Sequence, residues 1–96
     1  MIEINISEAG IKVDGHAGYG EKGKDIICSA VSILVFNLIN SIEALTEDVI
    51  EYQGDNPGHI NIIFKSLSER GNLLVDSFFI GISEIIRAYP EYVKLI

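Results

Sequence analysis

The sequence predicts a two-layer α+β domain in which two helices pack on one face of a mostly antiparallel, four-stranded sheet. Two patterns support this prediction. Short stretches of alternating apolar and polar residues indicate strands, and two longer stretches with apolar residues at three- and four-residue steps indicate helices. Their order along the chain is β-β-α-β-β-α. The 96 residues, 48% of them hydrophobic, suffice for one domain, 1–96, with one core.

The first two strands are predicted to form a hairpin. Ile2, Ile4 and Ile6 alternate with polar residues, and a second alternating stretch ends near Gly15 after a short turn. A connection of this length favours an antiparallel pair. On this phasing His16 follows the second strand, at the point where the chain leaves the sheet.

A long helix is predicted over about 26–46. Asp25 is a favourable N-cap residue for it. The apolar residues recur at helical spacing, as in a helix that packs on a sheet: Ile27, Val31, Leu34, Val35, Leu38, Ile42 and Leu45. Apolar residues at 26, 33 and 36 widen this surface, which indicates either deep burial or a subunit contact.

The second half of the chain repeats the pattern of strands followed by a helix. A third strand is predicted at 49–53 and a fourth at 59–65, joined by a strong turn signal at 55–58. The second helix is predicted at 73–89. A proline ends it, and the chain closes with a short tail at 92–96.

The charge balance restricts the possible partners. Fourteen acidic residues against seven basic ones give a net charge of −7. Because binding to phosphates requires clustered Lys and Arg, we expect no direct contact with nucleic acid. An acidic surface favours a cationic partner such as a basic peptide.

Cysteine usage and hydropathy indicate the compartment. The single cysteine excludes an internal disulfide framework, and the first residues lack the pattern of a signal peptide. No uninterrupted apolar run reaches the roughly 18 residues of a membrane span. We therefore expect a cytoplasmic protein without membrane contact.

Residues 15–28 carry the candidate chemistry, with four of the nine glycines, the only cysteine and one of the two histidines. Cys28 falls near the helix start, where the helix dipole and free N–H groups favour a thiolate. His16 lies across the loop and could act as general base. Asp25 could cap the helix, hold His16 in one tautomer, or both. Ser32 follows one turn after Cys28, on the same helix face.

Each of these residues also has an ordinary structural explanation. A lone cysteine before an apolar helix is usually a small core residue. A histidine at a strand end is often a surface residue, and a serine within a helix packs easily. Residue pattern alone leaves the catalytic and the structural interpretations open.

Two phosphate-binding motifs overlap the same segment. Gly18, Gly20 and Gly23 have the spacing of the dinucleotide fingerprint, but the chain is too short for two mononucleotide-binding halves. The segment 18–25 also resembles a P-loop, yet Asp25 stands where a magnesium-binding hydroxyl is required. One cysteine and two histidines fall short of a four-ligand zinc site. We therefore expect no cofactor and no metal.

The motifs Gly-His-Ala at 15–17, Asp-Ile-Ile-Cys at 25–28 and Ala-Val-Ser at 30–32 closely resemble the ribosomal-processing cysteine protease family Prp. The likeness extends over essentially the whole chain, including the tail at 89–94. Ile27 and Ser29 stand where the family often has Val and Ala, which are conservative differences.

This resemblance implies a homodimeric cysteine endopeptidase with Cys28 as nucleophile, His16 as base, and Asp25 and Ser32 in support. It further implies that the enzyme removes an N-terminal extension from large-subunit ribosomal protein number 27, a basic substrate. The implied substrate loop comprises Gly15, Ala17, Gly18, Tyr19, Gly20 and Gly23. The alternative function from another class is a non-catalytic, ribosome-associated module that holds a peptide in the same groove.

Overall fold

The computed structural model describes residues 1–18, 20, 25–56 and 58–96. Within these ranges the elements follow in the order β1 (Ile2–Ile6), β2 (Gly10–Asp14), α1 (Ile26–Leu45), β3 (Val49–Asn56), β4 (His59–Ser66), α2 (Glu69–Ala88) and β5 (Val93–Leu95). The predicted α+β class and both helices are confirmed. Pro57, in the predicted turn between the third and fourth strands, lies outside the described residues.

The sheet has five strands rather than the predicted four, in the order β3-β4-β2-β1-β5. The additional strand is the C-terminal tail, which pairs with β1 in parallel through Ile2 with Val93 and Ile4 with Leu95. The other neighbouring strands are antiparallel, so the sheet is mixed. A three-residue strand is too short to show an alternating pattern, and this explains why the sequence analysis missed it.

One face of the sheet is apolar and buried. Ile4 pairs with Val13, and Val13 pairs in turn with Ile60, so these side chains share one face. Each of them is at most 7% exposed. The helices cover this face, as predicted, and contribute Val35 and Ile82 to the same core.

Helix α1 starts after the predicted cap. The Asp25 side chain accepts the backbone N–H groups of Ile27 and Cys28, and Thr46 forms the C-cap. Six α1 residues are buried. By length and composition alone α1 could cross a membrane, with a mean hydropathy of 1.8 over 18 residues. The core helix of a soluble protein and a signal sequence pass the same test.

Helix α2 begins at Glu69, four residues before the predicted start at 73. Ser68 caps it, since its hydroxyl accepts the N–H of Gly71 at 3.2 Å. The carboxylate of Asp48 in turn accepts the backbone N–H of Ser68 at 3.0 Å and its hydroxyl at 2.9 Å. The first turn of α2 is polar and therefore lacks the apolar periodicity that marked the rest of the helix.

Candidate active site

The candidate site lies where β2 ends and α1 begins. Gly15 leaves the sheet with a φ of 97°, and a side-chain carbon built on it would lie 2.3 Å from the Met1 carbonyl oxygen. Only glycine fits such a close approach at positive φ. The N-terminal ammonium of Met1 donates to the carbonyl oxygen of His16 at 2.5 Å. The backbone on both sides of this turn is therefore fixed against β1.

Ala17 joins this segment to the start of α1. Its side chain is buried, and its backbone N–H donates to Sγ of Cys28 at 3.3 Å. Weak hydrogen bonds of this kind stabilise a sulfur with anionic character. The structure thus brings the loop and the cysteine together, as the spacing of the residues predicted.

Asp25 lies on the other side of Cys28. Its Oδ1 accepts the backbone N–H of Ile27 at 3.0 Å and that of Cys28 at 3.1 Å. The predicted capping role is therefore confirmed. These two donors are satisfied by the carboxylate and are not offered to an outside anion.

The electrostatics of Cys28 differ from the prediction of a favoured thiolate. Burial raises the pKa of the Cys28 thiol, and the hydrogen bond and negative charge of Asp25 raise it further. The Ala17 N–H, which has the largest effect after burial, and the more weakly acting Met1 ammonium lower this pKa without cancelling the rise. At neutral pH the thiol is therefore protonated in this conformation. The helix dipole is opposed here by the capping carboxylate itself.

His16 directly precedes Ala17, whose N–H contacts Cys28, but the His16 imidazole faces another neighbour. Its Nε2 and Cε1 atoms lie against Gly58, in the turn between β3 and β4. In the described part of the chain, no hydrogen bond joins the His16 ring to Cys28; the contact between the two segments is that of the Ala17 N–H. The sequence analysis did not find Gly58, because proximity across strand pairs leaves no local signal.

The remaining predicted site residues that the structure describes lie on α1 and in the segment after Ala17. Ser32 lies one turn after Cys28 on α1 and is half-buried. Gly18 has a φ of 69° with open space around it, and Gly20 is exposed. Tyr19 and Gly23, which the sequence analysis assigned to the substrate loop, lie outside the described residues, as do the rest of 21–24.

The competing ligand sites receive no support from the geometry. Within 1–18, 20, 25–56 and 58–96, no group of three or more His, Cys, Asp and Glu residues could hold a metal ion. His59 contacts the carboxylate of Asp14 on the neighbouring strand. A phosphate at the start of α1 would meet the Asp25 carboxylate in place of free N–H groups.

Comparison with known proteins gives a consistent result. The sequence model of the family described as cysteine protease Prp matches residues 1–94. The ribosomal processing cysteine protease Prp of Staphylococcus aureus (strain NCTC 8325 / PS 47) is 30% identical over 101 residues, covering 98% of this chain and 94% of the relative. The protein of the same name from Mycoplasma genitalium is 33% identical over 97 residues, covering 99% and 94%.

Two solved structures share the fold over nearly the whole chain. The crystal structure of the S. aureus protease with a covalently linked product peptide has a TM-score of 0.87 and 27% identity, covering 98% of this chain and 94% of that one. The structure of the same protease with a substrate peptide has a TM-score of 0.82 and 25% identity, covering 99% and 95%.

Proposed function

Because the chain belongs to the cysteine protease Prp family, we propose that it is an endopeptidase that processes a ribosomal protein. The relatives that it matches over nearly their whole length are named ribosomal processing proteases. The proposed substrate is large-subunit ribosomal protein number 27, from which the enzyme would remove an N-terminal extension during ribosome assembly. This makes the proposed site of action cytoplasmic.

The observation that carries the proposal is the setting of the one cysteine. Cys28 stands half-buried in the first turn of α1, in contact with the Ala17 N–H and close to the Asp25 carboxylate. Cys28 also packs against the hydrophobic core, but a cysteine that only fills core space would need neither of these two polar neighbours. The covalently linked product peptide of the S. aureus protease is consistent with a nucleophilic mechanism in that relative.

The proposed reaction is acyl transfer through a thioester. His16 accepts the thiol proton of Cys28, and the sulfur attacks the scissile carbonyl carbon. His16 then gives the proton to the leaving amine, which departs as the first product. Water adds to the thioester carbonyl, and the thiol is regenerated with release of the second peptide as a carboxylic acid.

Because the Cys28 thiol is protonated, His16 is needed as a general base. Because the pKa of Cys28 is raised, a base must remove its proton in each cycle, which favours general-base catalysis over a resting thiolate–imidazolium pair. Catalytic hydrogen bonds are often long in the free enzyme and tighten when substrate binds. We assign the closing movement to the His16 ring.

The oxyanion of the tetrahedral intermediate also needs a donor. Backbone N–H groups at a helix start are suitable donors, but those of Ile27 and Cys28 both donate to Asp25. The Ala17 N–H lies 3.3 Å from the sulfur and is better placed among the described donors. In this proposal the Ala17 N–H stops donating to the sulfur and donates to the oxyanion instead, as negative charge moves from the sulfur to the oxygen.

The supporting residues act on this pair. Asp25 fixes the start of α1 and holds the thiol protonated until His16 approaches. Ser32, on the same face of α1, would orient the pair. Gly18 and Gly20 would allow the substrate loop to adapt to a peptide.

The proposed partners are a basic peptide and a second copy of the chain. A net charge of −7 attracts a basic substrate over long range. Both helices expose large apolar side chains, with Ile33 of α1 68% and Ile80 of α2 64% exposed. Covering such residues would favour a homodimer.

Thiol alkylation separates an enzyme from a module that only binds peptides. With iodoacetamide at neutral pH, we expect Cys28 to react faster in the wild type than in His16→Ala, because the imidazole can accept the thiol proton as the sulfur attacks the reagent. The exposed neighbour Ser29 provides a control, since Ser29→Ala should leave the rate unchanged. Equal rates in the wild type and in His16→Ala would support the non-catalytic alternative.

A further inference from the structure

Gly58, directly before β4, lies against the His16 imidazole. A methyl group built on Gly58 would lie 2.7 Å from Nε2 and 2.9 Å from Cε1 of His16. Real side-chain carbons do not approach other heavy atoms this closely, so the ring occupies space that only a glycine at position 58 leaves free. The φ of Gly58 is also positive, at 91°.

Gly58 is fastened to the strand that leads into His16. The backbone N–H of Gly15 donates to the carbonyl oxygen of Gly58 at 2.7 Å. One residue further into each strand, Asp14 and His59 are direct partners in the sheet, and their side chains are in contact. Gly58 therefore has a fixed position relative to the His16 backbone.

The His16 backbone is itself held on both sides. Its carbonyl oxygen accepts from the Met1 ammonium at 2.5 Å, and the next N–H, that of Ala17, donates to Cys28 at 3.3 Å. The imidazole can then change place mainly by rotation about its own side-chain bonds. Gly58 forms one wall of the space available for that rotation.

We propose that Gly58 is a positioning residue for His16: the absence of a side chain at position 58 determines where the imidazole can lie relative to Cys28. The proposal rests on the proposed function, since the position of the ring matters for catalysis only if His16 is the base. A side chain at 58 would displace the ring by several tenths of an ångström or more. A misplacement of about 1 Å can cost about 10²-fold in rate.

A double-mutant cycle between His16→Ala and Gly58→Ala tests this inference. The first readout is the second-order rate of Cys28 alkylation by iodoacetamide. In the background with His16, Gly58→Ala should lower this rate about 10-fold or more. In the His16→Ala background it should change the rate by less than about twofold, because the ring on which it acts is gone.

The second readout is the free energy of unfolding in urea, which does not depend on the proposed function. The positive φ and the contact of a new methyl with the Gly15 carbonyl oxygen, 3.0 Å away, are common to both backgrounds and cancel in the cycle. The clash with the ring does not cancel. Gly58→Ala should therefore destabilise the protein less when His16 is already Ala.

Two further variants serve as controls. Gly58→Asn adds the same first carbon with a residue that tolerates positive φ, so a loss of rate equal to that of Gly58→Ala separates the ring clash from backbone strain. Gly54→Ala adds a methyl to the same hairpin, where it would meet Ile60 and the His59 carbonyl rather than His16. Its effect should be equal in both backgrounds.

The outcomes are distinct. If Gly58→Ala lowers the alkylation rate equally in both backgrounds, or shows no coupling in stability, the proposal is overturned. If His16→Ala alone leaves the rate at the wild-type value, the base assignment fails, and the stability cycle still decides whether the ring and Gly58 are in contact. If Gly58→Ala does not fold, the proposal is tested on the wild type, by measuring NMR cross-relaxation between the His16 ring protons and the Gly58 Hα protons. Its presence supports the proposal, and its absence contradicts it.

Discussion

Asp25 caps the helix that carries Cys28 and at the same time opposes ionisation of its thiol. Its Oδ1 accepts the Cys28 backbone N–H at 3.1 Å. Burial raises the pKa of the Cys28 thiol most, and the hydrogen bond that the thiol donates to Asp25 and the charge of Asp25 raise it further. One side chain thus stabilises the helix start and keeps the proposed nucleophile protonated. These two effects are separable by mutation.

Asp25→Asn should lower the pKa of Cys28, because Asn retains a capping oxygen but lacks the negative charge. The midpoint of the alkylation rate against pH should therefore move to lower pH than in the wild type. Asp25→Ala should also lower the midpoint and, in addition, lower the free energy of unfolding by about 1 kcal/mol through loss of the cap. An Asn variant with an unchanged midpoint would contradict the role of the charge.

The raised pKa of Cys28 also makes stability depend on pH. The unfolded chain loses its thiol proton near the ordinary pKa of about 8.5, whereas the folded chain retains it to higher pH. Folding is therefore penalised increasingly as pH rises through that range. Relative to Cys28→Ala, the wild type should lose free energy of unfolding between neutral and alkaline pH, as measured by urea titration. A difference that is constant with pH would refute this account.

The contact between Asp48 and Ser68 should contribute to stability but not to catalysis. Asp48→Ala removes both hydrogen bonds to the cap of α2 and should cost about 1–2 kcal/mol in urea unfolding. The neighbouring exposed Glu47 is the control, and Glu47→Ala should change stability by less than about 0.5 kcal/mol. The rate of Cys28 alkylation should not change in either variant. Equal stabilities of the two variants would show that the hydrogen bonds from Ser68 to Asp48 do not stabilise the start of α2.

The short strand β5 should stabilise the fold mainly through its one buried side chain, that of Val93. Val93 is 0% exposed, whereas Leu95, two residues later, is 41% exposed. Val93→Ala should therefore lower the free energy of unfolding by about 2 kcal/mol, and Leu95→Ala by clearly less. Thermal or urea unfolding of the two variants checks this. The opposite ranking would mean that β5 does not pack as described.

The proposed homodimer has its own test on α1. Ile33→Asp places a charge on a largely exposed apolar position and should shift sedimentation from dimer towards monomer. Asn37→Asp adds the same charge to an exposed polar position of the same helix and should leave the assembly unchanged. If both variants sediment like the wild type, Ile33 is not part of a dimer interface.

Much of the fold was predictable because it is encoded locally. The alternation at Ile2, Ile4 and Ile6, the cap at Asp25 and the apolar stripe of α1 each depend on nearby residues. The start of α2 was missed because its first turn is polar, and β5 was missed because its three residues show no alternation and only their pairing with β1 defines the strand. The candidate site follows the same rule. Cys28 and Asp25 were predicted from their spacing in the sequence, whereas the raised pKa of Cys28 and the contact between Gly58 and the His16 ring arise only from packing.

The most direct test of the proposed function is cleavage of the ribosomal protein with its N-terminal extension, followed by mass spectrometry. The wild type should release one N-terminal fragment and leave a shortened protein. Cys28→Ala should release none while retaining the wild-type circular dichroism and sedimentation. Cleavage by Cys28→Ala at the wild-type rate and site would remove Cys28 from the mechanism and contradict the account.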